Sequence, residues 1–153
     1  MDRPNADGDQ GKDQERRGEE LPEPLRRAKA FHGHLGPNVT MGLRMGRIIV
    51  DRFGSEPFSF TITSFTGRTP PVSCLIDGLQ LSTPCTVGNG HLQIVEEGVL
   101  RVVARKEGRE IDIRVRPEIV ERIKTEFDRK HEEVLPLALW TMKDEELFEV
   151  EER

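Results

Sequence analysis

The sequence predicts an α+β fold: N-terminal helices, one strand, a helix, then a three-stranded meander that forms a mixed sheet, with C-terminal helices. Three observations predict it. Apolar residues recur at helical spacing in segments 22–31 and 37–53. Residues 58–65, FSFTITSF, alternate apolar and polar side chains as a half-buried strand does. Three further strand-like runs, HLQIV, VLRVVAR and EIDIRV, are separated by EEG and KEGR, which are typical of hairpin turns. That order of elements favours an α+β architecture.

The two N-terminal helices are bounded by proline and glycine. The first is predicted to begin at the PEP segment, because proline suits a first helical turn, and its apolar face comprises Leu25, Ala28 and Phe31. The second is predicted to run from Pro37 to Phe53, with Gly54 as its stop. It contains Gly42 and Gly46, each of which costs about 1 kcal/mol relative to alanine. Close packing against a neighbouring element is the expected reason for both glycines.

The later helices are also predicted from their capping residues and from the spacing of their apolar residues. Ser73 is a candidate N-cap for a helix whose apolar residues are Leu75, Ile76 and Leu79. Pro117 is predicted to begin another helix, with Ile119, Ile123 and Phe127 on one face. VLPLALW is a short apolar segment, and KDEELFEVEER is predicted to form a charged helix at the end.

Composition limits the class of protein. The 153 residues suit one domain, and residues 1–20 are so polar that we expect a disordered acidic tail before a single domain at 21–153. The net charge of −5 argues against a nucleic-acid partner. No apolar run approaches the roughly 18 residues of a membrane helix, and no apolar leader is present, so we expect a cytoplasmic protein that does not enter membranes.

Two histidines form the first candidate site. His32 and His34 lie in the turn FHGHLGPN, just before a predicted helix N-terminus. Two imidazoles in such a turn could point into one cavity, as metal ligands or, for His34, as a general base. From these residues alone, the alternative is that both histidines simply hydrogen-bond to the backbone.

Two cysteines and an aspartate form the second candidate site. Cys74 and Asp77 are spaced to share a helix face, and Cys85 lies in the loop that follows. With Ser73 as N-cap, the helix dipole is expected to lower the pKa of Cys74, which makes it a candidate nucleophile or ligand. Thiolate, imidazole and carboxylate together suit Zn or Fe. The alternative is a buried cysteine that acts as a small apolar residue.

The remaining candidate residues are expected to have structural positions or, for Trp140, to contact a partner. The loop Gly88–Gly90 lacks the spacing of a phosphate-binding loop, so a tight turn is favoured. His91 is expected at a strand boundary and His131 on the surface. Trp140 is expected either in the core or facing a partner.

Three motifs in order resemble the FmdE family, named after a component of formylmethanofuran dehydrogenase: FHGHLGP, then VSCLIDGLQL, then STPCTVGNGHL. That family typically shows an FHGH-x-CPG turn, a C-x-x-DAIQ helix and a TGCTxGKGN loop. The resemblance runs from about Ala28 to Val115. The matching residues are His32 and His34 in the turn, Cys74, Asp77 and Gln80 in the helix, and Cys85, Gly88 and Gly90 in the loop.

The resemblance implies a metal-binding α+β homodimer. It makes His32, His34, Cys74, Asp77 and Cys85 the expected site, with Zn ranked first, Fe or Ni as alternatives and haem below them. It also implies a partner: a formylmethanofuran dehydrogenase complex or another anaerobic redox enzyme of one-carbon metabolism. Two departures stand out. Gly36 replaces the family's turn cysteine, which removes one soft ligand, and no CxxC zinc ribbon is present.

Three functional hypotheses follow. The first is a small metal-binding domain that is accessory to, or distantly related to, formylmethanofuran dehydrogenase. The second is a stand-alone enzyme that uses a Cys74 thiolate or a metal-bound water with a histidine base. The third is a binding or scaffold module without metal, in which the polar residues are structural.

Overall fold

The computed structural model describes residues 21–153, so the predicted tail at 1–20 lies outside the described residues. In the described part the helices are α1 Glu23–His32, α2 Pro37–Phe53, α3 Leu75–Ser82, α4 Pro117–Glu126, α5 Val134–Trp140 and α6 Asp144–Leu147. The strands are β1 Thr61–Ser64, β2 Leu92–Ile94, β3 Arg101–Lys106, β4 Arg109–Val115 and β5 Phe148–Glu152. Short 3-10 turns occupy Val72–Cys74 and Arg129–His131. None of the described helices is both long and apolar enough to cross a membrane.

The strands form one mixed sheet in the order β2-β1-β3-β4-β5, so the predicted α+β class is confirmed. The predicted hairpin between β3 and β4 is also present. The hairpin predicted between β2 and β3 is wrong, because β1 lies between them. Ile62 of β1 pairs with Leu92 of β2 in parallel and with Ala104 of β3 in antiparallel register. Helix α3 therefore serves as the crossover that a parallel pair requires.

The C-terminal segment differs from the predicted charged helix. Only Asp144–Leu147 is helical, and Phe148–Glu152 forms an edge strand antiparallel to β4. Phe148 is fully buried, whereas Glu149 and Glu151 are exposed. Burial of this phenylalanine against the sheet outweighs the local helical preference of the acidic residues.

Helix α2 is the central helix. Its predicted limits are confirmed, with Pro37 in its first turn and the N–H of Gly54 bonded to Val50 O at its end. Two apolar clusters share it. One fills the space between the sheet and α2–α3, and includes Met41, Met45, Ile48, Ile49 and Phe53. The other joins α1 to α2 and includes Leu25, Ala28, Leu35, Val39 and Leu43.

Glycine allows α2 and α3 to approach each other closely. A Cβ on Gly42 would lie 2.1 Å from the carbonyl oxygen of Leu75, and one on Gly46 would lie 1.8 Å from Ser82 Oγ. The predicted close packing at both glycines is confirmed. Gly78 of α3 meets α2 in the same way, so the contact is made from both sides.

Three local predictions are corrected. Phe31 is 58% exposed rather than part of the apolar face of α1, although Leu25 and Ala28 are buried as predicted. The first strand starts only at Thr61, and Phe58 has a left-handed backbone (φ 62°) with an exposed ring. Ser73 is not an N-cap. It lies within a 3-10 turn, and Cys74 occupies the N-cap position of α3.

A paired carboxylate on the sheet leads to a pH-dependent prediction. Arg101 donates from Nε to Asp112 Oδ1 at 3.0 Å and from Nη2 to Oδ2 at 2.7 Å. Only 13% of the Asp112 side chain is exposed, and the hydrogen bonds from Arg101 lower its pKa. We expect Asp112→Asn to reduce the free energy of unfolding at pH 7 by about 1–2 kcal/mol.

The difference should depend on pH in one direction. Because the pKa of Asp112 is lower in the folded chain than in the unfolded one, its stabilisation is present above about pH 4. It is lost as the pH falls through the folded value, so wild type and Asp112→Asn should converge in acid. Urea unfolding at several pH values measures this, with the exposed Glu121→Gln as control. A constant difference down to pH 2 would contradict it.

Candidate metal centre

A histidine–aspartate pair joins the end of α1 to the first turn of α3. Helix α1 ends at His32 because Gly33 adopts a left-handed conformation (φ 92°). His32 Nδ1 is hydrogen-bonded to Asp77 Oδ2. Since a carboxylate only accepts, Nδ1 carries the hydrogen, and in the neutral form of the ring the lone pair is on Nε2. Among the described residues this buried Nε2 has no hydrogen-bond partner.

His34 stands beside this pair. Its ring centroid lies 4.6 Å from that of His32, with the two planes tilted by 57°. Unlike His32, whose side chain is 11% exposed, His34 faces solvent. A Cβ built on Gly36 would lie 3.6 Å from His34 Cε1 and 3.8 Å from its Nδ1. Position 36, where the motif that this turn resembles has a cysteine, is therefore directly next to this imidazole.

Cys74 lies at the start of α3, three residues before Asp77, and is half-buried. Burial raises the pKa of its thiol, and the negative charge of Asp77 raises it further. The expectation that the helix start would lower this pKa is therefore wrong. Loss of hydration and a nearby carboxylate outweigh the helix dipole at this position.

Sequence reasoning gave no role to Asn38, although it lies in the same turn. Its side chain is 6% exposed, and its Nδ2 donates to Pro71 O at 2.9 Å. That carbonyl also accepts from the backbone N–H of Cys74 at 3.1 Å. Asn38 thus connects the start of α2 to the turn that carries Cys74. An asparagine in the first turn of a buried helix is the feature that could have revealed it.

Cys85 is placed differently from the other candidates. It is fully buried in the main apolar cluster, and its Sγ donates to Phe60 O at 3.3 Å. Burial raises the pKa of its thiol to about 11. Such a thiol remains protonated at neutral pH, and its hydrogen is directed to the backbone beside β1.

The other residues considered in the sequence have structural positions. His91 is bonded through Nδ1 to Phe60 O at 2.8 Å, just before β2, which confirms its boundary position. His131 is on the surface as predicted and pairs with Asp128 at 2.9 Å. Trp140 is partly buried against the cluster around α1.

The structure thus brings together a fixed pair, His32 and Asp77, with His34 and Cys74 close to it. Within residues 21–153, no group of three or more His, Cys, Asp or Glu side chains is already arranged to hold a metal ion. What the geometry offers is one oriented imidazole with a free lone pair, a second imidazole open to solvent, and a half-buried thiol.

Comparison with known proteins identifies relatives of this chain. A curated protein from Archaeoglobus fulgidus, described as a probable S-adenosyl-L-methionine-binding protein, is 34% identical over 102 residues. The match covers 64% of this chain but only 28% of that protein, so this chain spans little more than a quarter of its length.

A crystal structure with the same fold comes from Syntrophus aciditrophicus, where it is described as a tungsten formylmethanofuran dehydrogenase FmdE-like protein. It superposes with a TM-score of 0.64 at 24% identity, over 84% of this chain and 69% of that one. The profile of the family described as "FmdE, Molybdenum formylmethanofuran dehydrogenase operon" matches residues 31–152, which include His32, His34, Cys74, Asp77 and Cys85. This chain belongs to the FmdE family.

Proposed function

We propose that the chain is a metal-binding FmdE domain that holds one divalent ion beside the His32–Asp77 pair, with Zn²⁺ ranked before Fe²⁺ and Ni²⁺. The observation that carries the proposal is the buried Nε2 of His32, which has no partner within the described residues while Asp77 holds Nδ1. Histidines that bind metals almost always donate their other ring N–H to a carboxylate or carbonyl. A buried acceptor without a partner is costly unless something binds it.

The proposed ligands are His32, His34 and Cys74, with Asp77 positioning His32. Imidazole and thiolate donors suit Zn²⁺, Fe²⁺ and Ni²⁺ better than they suit hard cations. His34 is exposed and Cys74 is half-buried, and both side chains would have to turn toward His32 Nε2 to complete the set. Cys85 is not included, because its thiol is already engaged with Phe60 O in the core.

Metal binding also gives Cys74 a role that fits its environment. Burial and Asp77 raise the pKa of its free thiol, so little free thiolate forms at neutral pH. A metal ion displaces the proton directly. We therefore favour Cys74 as a ligand over Cys74 as an independent nucleophile.

Three protein ligands would leave one position open on a four-coordinate ion, which is the pattern of sites that exchange a water or substrate. Because the ring of His34 is exposed, a ligand bound at that position would be in contact with solvent. The bound ion would supply Lewis acidity there. Asp77 would hold the imidazole of His32 in one tautomer.

The family's connection to a molybdenum formylmethanofuran dehydrogenase operon supports an accessory role in one-carbon metabolism. We propose that the domain, as a homodimer, assists that enzyme or a related anaerobic redox enzyme. The chain shows none of the cysteine spacings of ferredoxin-type clusters, so we assign the redox step to the partner.

Metal content of the full-length protein, purified without oxygen and without a chelator, tests the proposal. We expect about one ion per chain in the wild type, and its loss in His32→Ala and Cys74→Ser. Asp77→Asn should retain the ion but weaken its affinity by about tenfold or more. His131→Ala and Asp128→Asn are matched controls, because they alter another histidine–aspartate pair that lies on the surface. They should bind as the wild type does.

The variants above could lose the metal simply because they fail to fold. A variant that is expected to bind metal more tightly avoids this ambiguity. Gly36→Cys places a thiol beside His34, and the Cβ is in ordinary contact at 3.6 Å. The site lies at the start of α2, where the helix dipole favours a thiolate, so tighter binding is expected. A reduced wild type that takes up none of Zn²⁺, Fe²⁺ or Ni²⁺, together with a Gly36→Cys variant that binds no better, would contradict the proposal.

A further inference from the structure

Near the start of α1, at the end opposite His32, a cleft of about 310 Å³ opens between α1, α2, α3 and α5. Pro24 lines the cleft and precedes His32 by eight residues. The cleft therefore lies roughly 12 Å from His32 along the axis of α1. Its volume falls at the lower end of the range typical of small-molecule sites. The lining residues that matter for binding are Arg27, Leu43, Arg47, Asp51, Leu81 and Trp140.

The floor and wall of the cleft are apolar. Leu43 belongs to the cluster between α1 and α2, and Leu81 and Trp140 pack against it. Leu43 is 4% exposed, so the floor of the cleft is part of the core rather than a mobile surface. The cleft can therefore take an apolar body without rearrangement of the fold.

The rim of the cleft is positively charged. Arg27 and Arg47 line it, opposed by the single carboxylate of Asp51. None of these three side chains makes an ion pair with another described residue. The guanidinium carbon of Arg47 lies 4.7 Å from the centre of the Trp140 ring. This cation–π contact holds the guanidinium in place and leaves its fork of N–H donors for an anion.

We propose that this cleft binds a small organic anion: a carboxylate whose charge meets Arg27 and Arg47 while its compact apolar body lies on Leu43 and Leu81. The excess of one positive charge selects an anion over a cation. The apolar floor selects an organic acid over an inorganic ion, because only an apolar body gains from the burial. Asp51 opposes a carboxylate at the rim and so limits its affinity.

The fluorescence of the protein gives a direct readout. Trp140 is the only tryptophan in a chain without tyrosine, so emission excited at 295 nm comes from this cleft alone. Three probes separate the two halves of the proposal: benzoate carries both charge and ring, benzamide has the ring alone, and acetate has the charge alone. We expect benzoate to give a saturable change with a Kd about tenfold lower than either of the others.

Three variants assign the effect to this site. Arg27→Gln should weaken benzoate about tenfold without touching the Arg47–Trp140 contact. Arg26→Gln, its exposed neighbour outside the cleft, is the matched control and should bind as the wild type does. Asp51→Asn should bind benzoate more tightly, because it removes the opposing charge. Equal affinity for benzoate and benzamide, or equal effects of Arg26→Gln and Arg27→Gln, would overturn the proposal.

Discussion

Gly78→Ala is expected to destabilise the protein by about 3 kcal/mol, at the upper end of what overpacking a core costs. The new Cβ would lie 2.2 Å from Val39 O and 2.6 Å from Leu43 N. Both atoms belong to the backbone of α2, whose residues there are buried. No side-chain rotation can relieve such a contact, so the two helices must move apart. Gly42→Ala, which meets Leu75 O at 2.1 Å, should behave alike.

Urea unfolding of the variants measures the effect. Gly88→Ala is the control, because its nearest neighbour would be Thr86 Oγ1 at 3.9 Å, an ordinary contact. Gly46→Ala provides a contrast, since its Cβ meets the side chain of Ser82 rather than backbone. Adding Ser82→Gly should therefore recover part of the loss at Gly46. A free energy of unfolding for Gly78→Ala within about 0.5 kcal/mol of the wild type would show that the helices are less closely packed.

Arg44→Ala should cost about 3 kcal/mol, because it removes a buried charge that organises the turn between α5 and α6. Only 2% of Arg44 is exposed. Its Nη1 donates to Leu139 O at 3.0 Å and to Trp140 O at 2.8 Å, and its Nη2 donates to Asp144 Oδ1 at 2.9 Å. Truncation would leave these carbonyls at the end of α5 without donors and open a cavity beneath Trp140.

Arg47→Ala is the matched control for Arg44. Both guanidinium groups lie near the same ring, at 5.9 Å for Arg44 and 4.7 Å for Arg47, but Arg47 is exposed. We expect its loss to change the free energy of unfolding by about 0.5 kcal/mol at most. Both variants should alter the emission of Trp140, whereas only Arg44→Ala should lower the melting temperature appreciably. Equal melting temperatures would contradict the role assigned to Arg44.

The parts of the fold that depend on residues close together in the sequence could be predicted from it. Proline at helix starts, Gly54 at the end of α2 and the β3–β4 hairpin each reflect local chemistry. The pairing of β2 with β1 could not be predicted, because strand neighbours across a helical crossover leave no local trace. Strand β5 was not predicted, because its acidic residues and those just before it favour a helix. The burial of Phe148 against the sheet makes this segment a strand instead.

The candidate site also has features that the sequence predicted and features that it did not. The motif resemblance named His32 and Asp77 although 45 positions separate them, and the structure brings them into contact. The pKa of Cys74 could not be predicted, since a rule about helix ends does not include the burial that the rest of the fold imposes. The environment of Cys85 was likewise set by distant residues, because the segment leading into β1 supplies the carbonyl that its thiol meets.

The position of β1 has a consequence for how the chain is made. Ile62 pairs on one side with Leu92 and on the other with Ala104, and both of these residues are synthesised later. On the ribosome, β1 therefore has neither neighbour until the whole of α3 and the loop after it have been added, while the β3–β4 hairpin can close as soon as it emerges. The first strand to be synthesised thus depends on two later ones for its pairing. An N-terminal fragment ending before residue 90 would leave both edges of β1 unpaired and Ile62 without its strand neighbours, which makes it a target for chaperones or aggregation.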